Sequence, residues 1–422
     1  MKLKIIYALI AIESTLAWQA GAQIYDTNNV VVQTFAGSSF SGYLDGQGTQ
    51  TMFNEPLAIA ADTSSNLFVI DYFNPVRIRK ITPGGTVTTF AGGGGNALPG
   101  YGTNVSLPFA ITMTIDHSNT LYLMNYSTGT SMLRVGSDGY VTNITLSGLS
   151  GGSGLRNGLC VDSGNNIYIS DSQGNKIWRY RTNGVLEVFA GSGNSGSVDG
   201  NGIFTSFASP TALAADNADN VYVADSGKLI RRINQNRDVV TIAGNPNIAD
   251  SDGVGTNAAF YLVSAMCADG NGNLYLACFS STSGESVRKM SATTNVTTLA
   301  GSFVQHGYTN GTGSLARFNG SGNEGICISA GVIFLADAFN YRIRQISFNP
   351  SSQVVSPASL QLNAYPGLQI VGTVGRTYQI QTSPDMNAWT TRATLLLNSS
   401  PYLWIDQNPV SGNKFYRALL LP

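Results

Sequence analysis

The stretch Val87-Thr88-Thr89-Phe90-Ala91-Gly92 decides the fold, because it recurs along the chain. The copies alternate polar and apolar residues and five of the six end in glycine, a pattern typical of a β-strand followed by a turn. The degenerate sixth copy is Val141-Thr142-Asn143-Ile144. The other four are Val31-Val32-Gln33-Thr34-Phe35-Ala36-Gly37, Leu186-Glu187-Val188-Phe189-Ala190-Gly191, Val239-Val240-Thr241-Ile242-Ala243-Gly244 and Val296-Thr297-Thr298-Leu299-Ala300-Gly301.

Each repeat contains four short strand patterns. In the first repeat we predict strands at 57–61, 67–71, 76–81 and 86–91. The second of these strands returns five more times, at 121–125, 167–171, 221–225, 274–278 and 333–337. A period of roughly 45 to 57 residues built from short antiparallel strands is typical of a β-propeller, in which each blade is buried against its neighbours. The sequence therefore predicts an all-β, six-bladed propeller.

The two ends of the repeat region predict how the ring closes. Residues 31–36 form a fourth-strand motif with no preceding strands, and the last repeat stops after its third strand, 341–348. A blade with an unpaired edge strand would invite aggregation. We therefore expect the N-terminal strand to complete the last blade.

Glycine-rich loops and the strands after them resemble a known family. The loop Asp45-Gly46-Gln47-Gly48 precedes Phe53-Asn54-Glu55-Pro56 and then Arg77-Ile78-Arg79-Lys80-Ile81-Thr82-Pro83-Gly84, and the loop returns as Asp199-Gly200-Asn201-Gly202. Over about residues 31–350 the chain resembles the bacterial secreted NHL-repeat family, although the third repeat lacks the loop. The resemblance implies an NHL-type propeller. Because the family includes recognition modules, sensor domains and some lyases, it implies a fold more than a reaction.

Segments outside the repeats predict export and a second domain. Lys2 and Lys4 precede an apolar stretch and a small-residue cleavage site, Ala20-Gly21-Ala22, so we interpret 1–22 as a signal peptide. We assign 23–349 to the propeller, 350–358 to a linker and 359–422 to a module similar to a short, fibronectin-like C-terminal β-sandwich. The predicted location is extracellular or periplasmic.

Composition limits the partners. The formal net charge is −1 and only 11% of the residues are charged, which argues against nucleic acid as a ligand. After the signal segment no apolar run approaches the length that spans a membrane. We interpret the four cysteines as small buried hydrophobic residues rather than a disulfide scaffold. We expect a monomer with an unidentified protein or polysaccharide partner.

Residues just ahead of each first strand should project at the mouth of a propeller channel. Glu55 and Glu324 would be neighbours across the closure, where two carboxylates could hold a cation or polar ligand or do acid–base chemistry. The alternative is that they are solvated loop residues. The candidate ligand-binding residues are Glu55, Arg156, Asn157, Ser209, Asn323 and Glu324.

Other polar motifs have structural interpretations. Aspartates close several second strands, and arginines stand at matching positions of the third strands, so we expect a repeated turn and ion-pair role. These residues are Asp71, Asp171, Asp225 and Asp337 with Arg79, Arg231, Arg288 and Arg344. The Asp-Gly-x-Gly loops resemble parts of a calcium loop but lack its downstream glutamate. The chain has only two histidines, His117 and His306, which disfavours a zinc lyase. We assign no metal or cofactor, with calcium as the weaker alternative.

The sequence leaves three functions open. The first is an exported, non-catalytic binding or interaction module. The second is a lactonase- or lyase-like enzyme with a divalent cation near Glu55 and Glu324. The third is a carbohydrate binder, although Trp178 is the only tryptophan in the propeller region.

Overall fold

The structure is a computed structural model that describes residues 30–72, 74–151, 157–248, 250–280, 284–320, 322, 324–348, 359–362, 367–384, 387–398, 400, 402–405 and 415–421. The chain divides into two compact units, with the boundary between Ser347 and Phe348. The predicted signal peptide, 1–22, and the predicted linker, 350–358, lie outside the described residues.

The first unit, over its described residues, consists of six antiparallel sheets, numbered here in chain order from the first complete repeat. Their first strands, called the inner strands, are Pro56–Ala61, Met113–Ile115, Leu159–Val161, Pro210–Ala215, Leu262–Ala268 and Ile326–Ser329. The second strands are Leu67–Asp71, Leu121–Met124, Ile167–Asp171, Val221–Asp225, Leu274–Phe279 and Val332–Asp337. The third strands are Arg77–Ile81, Ser131–Val135, Lys176–Tyr180, Leu229–Ile233, Glu285–Met290 and Arg342–Phe348. The fourth strands are Thr86–Gly92, Tyr140–Thr145, Leu186–Ala190, Asp238–Ala243, Asn295–Ser302 and, for sheet 6, Val30–Ala36.

The N-terminal strand closes sheet 6, as the sequence predicted. Val30–Ala36 lies between the third strand, Arg342–Phe348, and a short strand at Gly311–Thr312. Val31 stands opposite Thr312. The side chains of Val30 and Val32 are fully buried, and each such burial stabilises the fold by about 1.5–3 kcal/mol. The two ends of the repeat region are therefore held together by one sheet.

The inner strands form a closed ring. Each one contacts the next along the chain, and Ile326–Ser329 contacts Pro56–Ala61. At that closure the Gly325 amide donates a hydrogen bond to the Leu57 carbonyl at 2.6 Å. A Cβ on Gly325 would come within 2.6 Å of the Ile59 nitrogen, so only glycine lets the two backbones approach this closely. The fold of this unit is propeller-like and all-β.

A fifth, two-residue strand extends five of the six sheets, and a short 3₁₀ helix follows each one. The strands are Gly46–Gln47, Gly100–Tyr101, Gly200–Asn201, Gly253–Val254 and Gly311–Thr312; the helices are Gly48–Gln50, Gly102–Asn104, Gly202–Phe204, Gly255–Asn257 and Gly313–Leu315. A sixth 3₁₀ helix is Ala338–Asn340. Over its described residues sheet 3 has four strands, which agrees with the missing loop in its repeat. In sheet 2 the extension is made by Gly100-Tyr101-Gly102, a copy that sequence reasoning missed.

The second unit contains two three-stranded antiparallel sheets. Ser359–Leu362, Gly367–Val371 and Tyr402–Ile405 form one sheet, and Thr377–Ser383, Thr390–Leu396 and Phe415–Leu420 form the other. Both contribute to one apolar cluster around Ile370, Tyr378 and Ile380. The sequence predicts five strands in this module, at 368–371, 377–381, 389–397, 402–405 and 415–420. Five of the observed strands match them, whereas the strand at Ser359–Leu362 was not predicted. No helix in the described part of the chain is long and apolar enough to cross a membrane.

Candidate functional site

The inner strands enclose a channel with an apolar neck. Two cavities share six lining residues, one from each inner strand, and all six are buried: Ile59, Met113, Leu159, Leu213, Met266 and Ile326. We call these six residues the neck. The cavity that Glu324 lines is the upper cavity, and the one that Cys160 lines is the lower cavity. The centre of a water molecule can reach about 80 Å³ of the upper cavity and about 290 Å³ of the lower one.

The upper cavity has a nearly neutral wall. Its hydroxyl groups already bond to neighbouring backbone: Thr112 donates to the Asn157 carbonyl at 2.8 Å, and Ser264 donates to the Ala277 carbonyl at 3.1 Å. Of the described residues that line this cavity, only Glu324 carries an ionisable side chain. The electrostatic character of the upper cavity therefore depends on this one carboxyl group.

Glu324 is held in place by glycine backbone. Its side chain is 1% exposed, and its Oε1 accepts a hydrogen bond from the Gly322 amide at 2.7 Å. The side chain folds over Gly320, where a Cβ atom would come within 2.2 Å of the Glu324 carboxyl carbon. Gly320 is therefore required for the observed position of the carboxyl group.

A second buried carboxyl group, on Glu285, lies close to Glu324. Glu285 begins the third strand of sheet 5, opposite Phe279 and Ser302, and its side chain is 1% exposed. Neither of its carboxylate oxygens has a hydrogen-bond partner. Burial, with the charge of Glu324 as the next cause, raises the pKa of Glu285 well above its ordinary value. The Gly320 amide opposes this rise without completing a hydrogen bond.

The structure gives Glu55 a different carboxyl neighbour from the predicted one. Glu55 is half-buried, and its pKa is raised by burial and by the charge of Asp71. Its amide donates to an Asp71 carboxylate oxygen at 3.2 Å. Glu55 is not among the residues that line the two cavities. A shared Glu55 and Glu324 site stays a prediction.

The remaining predicted site residues are dispersed or outside the described residues. Asn157 is 2% exposed, and its side-chain oxygen accepts hydrogen bonds from the amide and hydroxyl of Ser172. Ser209 is exposed, and its amide donates to Asn175. Arg156 and Asn323 lie outside the described residues. Asn157 borders the upper cavity through its neighbour Gly158.

The predicted ion pairs form in three sheets. Arg79 pairs with Asp71 at 2.9 Å, Arg231 with Asp225 at 2.8 Å and Arg344 with Asp337 at 2.6 Å. All three guanidinium groups are fully buried and lie over a phenylalanine ring: Phe53, Phe207 or Phe318. The structural interpretation of these aspartates is confirmed at Asp71, Asp225 and Asp337.

Sheets 3 and 5 depart from this pattern. In sheet 3 Trp178 occupies the arginine position, and its indole N–H donates to Asp171 at 3.3 Å. In sheet 5 the aspartate position is held by Cys278, so Arg288 pairs with Asp252 of the glycine loop at 2.9 Å. Sheet 5 therefore has no carboxylate at the aspartate position of its second strand. Its Glu285 is one residue before Ser286, and Ser286 stands opposite Cys278 in the sheet.

The Asp-Gly-x-Gly loops are fastened to the buried arginines. Asp45, Asp199 and Asp252 accept hydrogen bonds from Arg79, Arg231 and Arg288, and also from the amides of Thr89, Thr241 and Thr298. These partners explain why aspartate begins each loop. Within the described ranges, no group of three or more His, Cys, Asp or Glu side chains is placed to hold a metal ion.

All four cysteines carry free thiols. Cys160, Cys278 and Cys327 are buried, whereas Cys267 is half-buried. Burial raises the pKa of all four thiols, that of Cys278 to about 12. Cys160, Cys267 and Cys327 line the lower cavity. All three residues lie in inner strands.

Glu285 is the residue that sequence reasoning missed. The chain has only five glutamates, and at the position of Glu285 sheets 1, 4 and 6 have Val76, Lys228 and Tyr341. This departure from the repeat could have identified Glu285 from the sequence. The proximity of Glu285 to Glu324 could not have been predicted, because the two residues are in different sheets.

Solved structures with a similar fold include three from Bacteroides. A protein of unknown function from Bacteroides thetaiotaomicron has a TM-score of 0.56 and 20% identity, and 76% of each chain is covered. Auxiliary nutrient binding proteins from B. thetaiotaomicron and Bacteroides ovatus each have a TM-score of 0.56 and 17% identity. The matches cover 76% of this chain, and 76% and 77% of those chains. No family model and no curated protein matches the chain.

Proposed function

We propose that this protein is an exported, non-catalytic binding module in which a six-bladed NHL-type propeller holds a small polar ligand in the upper cavity. The C-terminal unit is proposed to be a β-sandwich module. The closed ring of inner strands and the six sheets support the propeller assignment. The segment at 1–22 supports export. The observation that carries the binding proposal is a narrow cavity whose ionisable wall group is the buried Glu324.

The positions of the histidines favour binding over catalysis. The His117 ring bonds to the Asn165 side chain at 2.9 Å, and His306 lines a different surface depression, with Tyr308 and Arg317. Neither residue lines the upper cavity. A general base must lie within hydrogen-bond reach of the proton that it removes. The two auxiliary nutrient binding proteins are described as binders, but at 17% identity the likeness shows the fold alone.

A thermal-shift panel tests the proposal. The panel contains glucose, galactose, glycine, lysine, n-butylamine hydrochloride, sodium acetate, calcium chloride and zinc chloride. It is applied to the wild type, to Glu324→Gln and to Glu187→Gln. Glu187 is a matched control, because it lies on the fourth strand of sheet 3 and pairs with Arg179 and Arg181.

The expected result is that one or more compounds raise the melting temperature of the wild type and the control but not that of Glu324→Gln. A ligand at one hundred times its Kd adds about 2.7 kcal/mol to the free energy of unfolding. If no compound acts on the wild type, or if every shift persists in Glu324→Gln, the upper cavity is not a binding site for these ligands and the proposal fails.

A further inference from the structure

The outer edge of sheet 3 is uncovered over the described residues. In each of the other five sheets the fourth strand pairs on its outer side with a two-residue strand. In sheet 1, for example, Gly46 and Gln47 pair with Val87 and Thr86. In sheet 3 no described residue pairs with the outer side of the fourth strand, Leu186–Ala190. The main-chain groups on that side are therefore open to a further strand.

The segment that forms the fifth strand in sheet 1 has no counterpart ahead of Ser150. The Ser150 amide donates to Asp171 at 3.0 Å, and in sheet 1 the Asn54 amide donates to the matching aspartate at 2.8 Å. Ser150 and Asn54 therefore occupy matching places. Gln47 of the fifth strand lies seven residues before Asn54, whereas the residue seven before Ser150 is Asn143, which already belongs to the fourth strand of sheet 2.

One face of the open edge is apolar. On the face toward sheet 2, Trp178 stands opposite Val188. Tyr180 stands opposite Leu186 on the same face, and all four side chains are half-buried. In sheets 1, 4 and 5 the positions of Trp178 and Val188 are held by the arginine and threonine that bind the loop aspartate. An apolar residue of an added strand therefore suits this place better than an aspartate.

The opposite face of the open edge carries an excess of positive charge. Glu187 stands opposite Arg179 and forms an ion pair with it. Its carboxylate also pairs with Arg181 at 2.8 Å and with Arg237 of sheet 4 at 3.7 Å, and these two arginine side chains are 43% and 36% exposed. Three guanidinium groups share one carboxylate, so charge favours an acidic strand at this face. A second copy of the same edge would bring two such clusters together, which is unfavourable.

We propose that the open edge of sheet 3 binds an extended peptide segment of a partner protein in which apolar and acidic residues alternate. Successive residues of a strand point to opposite faces, so the apolar residues lie toward Trp178 and Val188. The acidic residues lie toward Arg181 and Arg237. The segment adds a fifth strand through main-chain hydrogen bonds, the role that the chain's own residues have in the other five sheets. None of these four residues lines the upper cavity, so this is a second, separate binding surface.

The test uses the fluorescein-labelled peptide Gly-Val-Glu-Val-Glu-Val-Gly and fluorescence anisotropy with the purified full chain at pH 7. One control peptide has lysine in place of each glutamate. Another keeps the side chains but has every main-chain amide N-methylated, which removes the donors that a sheet edge requires. We expect the first peptide to bind and each control peptide to bind at least about fivefold more weakly, because each lacks either the charge or the hydrogen bonds.

Variants of the protein test the same surface from the other side. Arg181→Gln combined with Arg237→Gln should weaken binding of the glutamate peptide at least about threefold. Val185→Asp adds a negative charge at the exposed start of the same edge and should weaken it as well. Arg232→Gln is the matched control and should bind like the wild type, because Arg232 is exposed on sheet 4, whose edge is covered.

Contrary outcomes overturn the inference in distinguishable ways. The absence of binding would show that the charged residues only protect the edge. Equal binding of the N-methylated peptide would exclude strand addition, and equal binding of the lysine peptide would exclude recognition of acidic residues. Self-association in analytical ultracentrifugation that Val185→Asp abolishes would assign the edge to a second copy of the chain. Should the double arginine variant fail to fold by circular dichroism, Val185→Asp decides whether charge at the edge matters.

Discussion

Two buried charged clusters in the same unit are built in opposite ways. In sheet 4, the Arg231 guanidinium is surrounded by Asp225, Asp199 and two backbone carbonyls, and it lies over Phe207. Near the closure of the ring, Glu285 and Glu324 bring two like charges together, and Glu285 has no hydrogen-bond donor. The Arg231 guanidinium has carboxylate partners within the fold, whereas the Glu285 carboxyl group has no hydrogen-bond donor, and this is the difference between the two clusters.

The largest expected effect on stability comes from removing the arginine of the cluster in sheet 4. Arg231→Met should lower the free energy of unfolding by about 3–5 kcal/mol, because Asp225 would stay buried without its cation. Urea denaturation followed by tryptophan fluorescence measures the change. Arg232→Met is the control, since Arg232 is the exposed neighbour on the same strand. A loss below 1 kcal/mol in Arg231→Met would show that the cluster is not structural.

Removing one carboxyl group from the Glu285 and Glu324 cluster should instead stabilise the fold. Glu285→Gln removes a buried ionisable group whose charged form is disfavoured by burial and by the charge of Glu324, so the free energy of unfolding at pH 7 should rise. The same denaturation experiment measures this change, with Glu187→Gln as the control. Destabilisation of Glu285→Gln at pH 7 would contradict the repulsion between Glu285 and Glu324.

The pH dependence of stability tests the same difference between the two clusters. The pKa of Glu285 is raised in the folded protein, so its protonated form is favoured by folding. Its contribution to stability is fully present below about pH 4.5 and is lost as the pH rises through the folded-state pKa. We expect wild-type stability to fall as the pH rises above about 4.5, and Glu285→Gln to show a smaller fall. Identical pH profiles of the two proteins would rule out Glu285 as the cause.

A substitution in sheet 3, where the buried aspartate also has hydrogen-bond partners, should have a smaller effect on stability. Trp178→Phe keeps the apolar ring at the arginine position but removes the N–H that donates to buried Asp171. Asp171 also accepts hydrogen bonds from the amides of Ser150 and Gly174, so the expected loss is only about 1 kcal/mol. Thermal unfolding followed by circular dichroism measures it. A loss as large as that of Arg231→Met would mean that Trp178 has a further structural role.

The thiols should show the smallest effect. Because burial raises their pKa values, they should stay neutral and react slowly with iodoacetamide at pH 8. Mass spectrometry should find no modified cysteine in the native protein after brief exposure, and four in the unfolded protein. Half-buried Cys267 is expected to be the first to react. A disulfide found without reductant would contradict the free thiols.

Much of the fold could be predicted because the strand signal is local and repeated. Alternation in 57–61 and 67–71 places strands that the structure has at Pro56–Ala61 and Leu67–Asp71. The ion pair of Arg79 with Asp71 followed from the matching repeat positions. The strand Ser359–Leu362 was missed because it is short and lies outside the repeats. The extension at Gly100–Tyr101 was missed because Pro99 stands where the other loops have aspartate or asparagine.

The candidate site was predicted only in part. Glu324 was predicted because it precedes an inner strand, and the structure places it on the cavity wall. Glu55 precedes an inner strand as well, but the charge of Asp71 acts on its carboxyl group and it does not line the cavity. Glu55 is four residues before the neck residue Ile59, whereas Glu324 is two residues before the neck residue Ile326. The two glutamates are therefore not at equivalent positions of the repeat.

The sequence by itself determined the repeat, the strand order within each sheet and the closure by Val30–Ala36, because backbone pairing follows local alternation and an unpaired edge is unfavourable. Only the tertiary structure decided that six apolar side chains meet as the neck and that Glu285 of sheet 5 lies beside Glu324 of sheet 6. The physical reason is that both arrangements join residues from different sheets. Their distances are set by how the sheets pack around the ring, which no single repeat encodes.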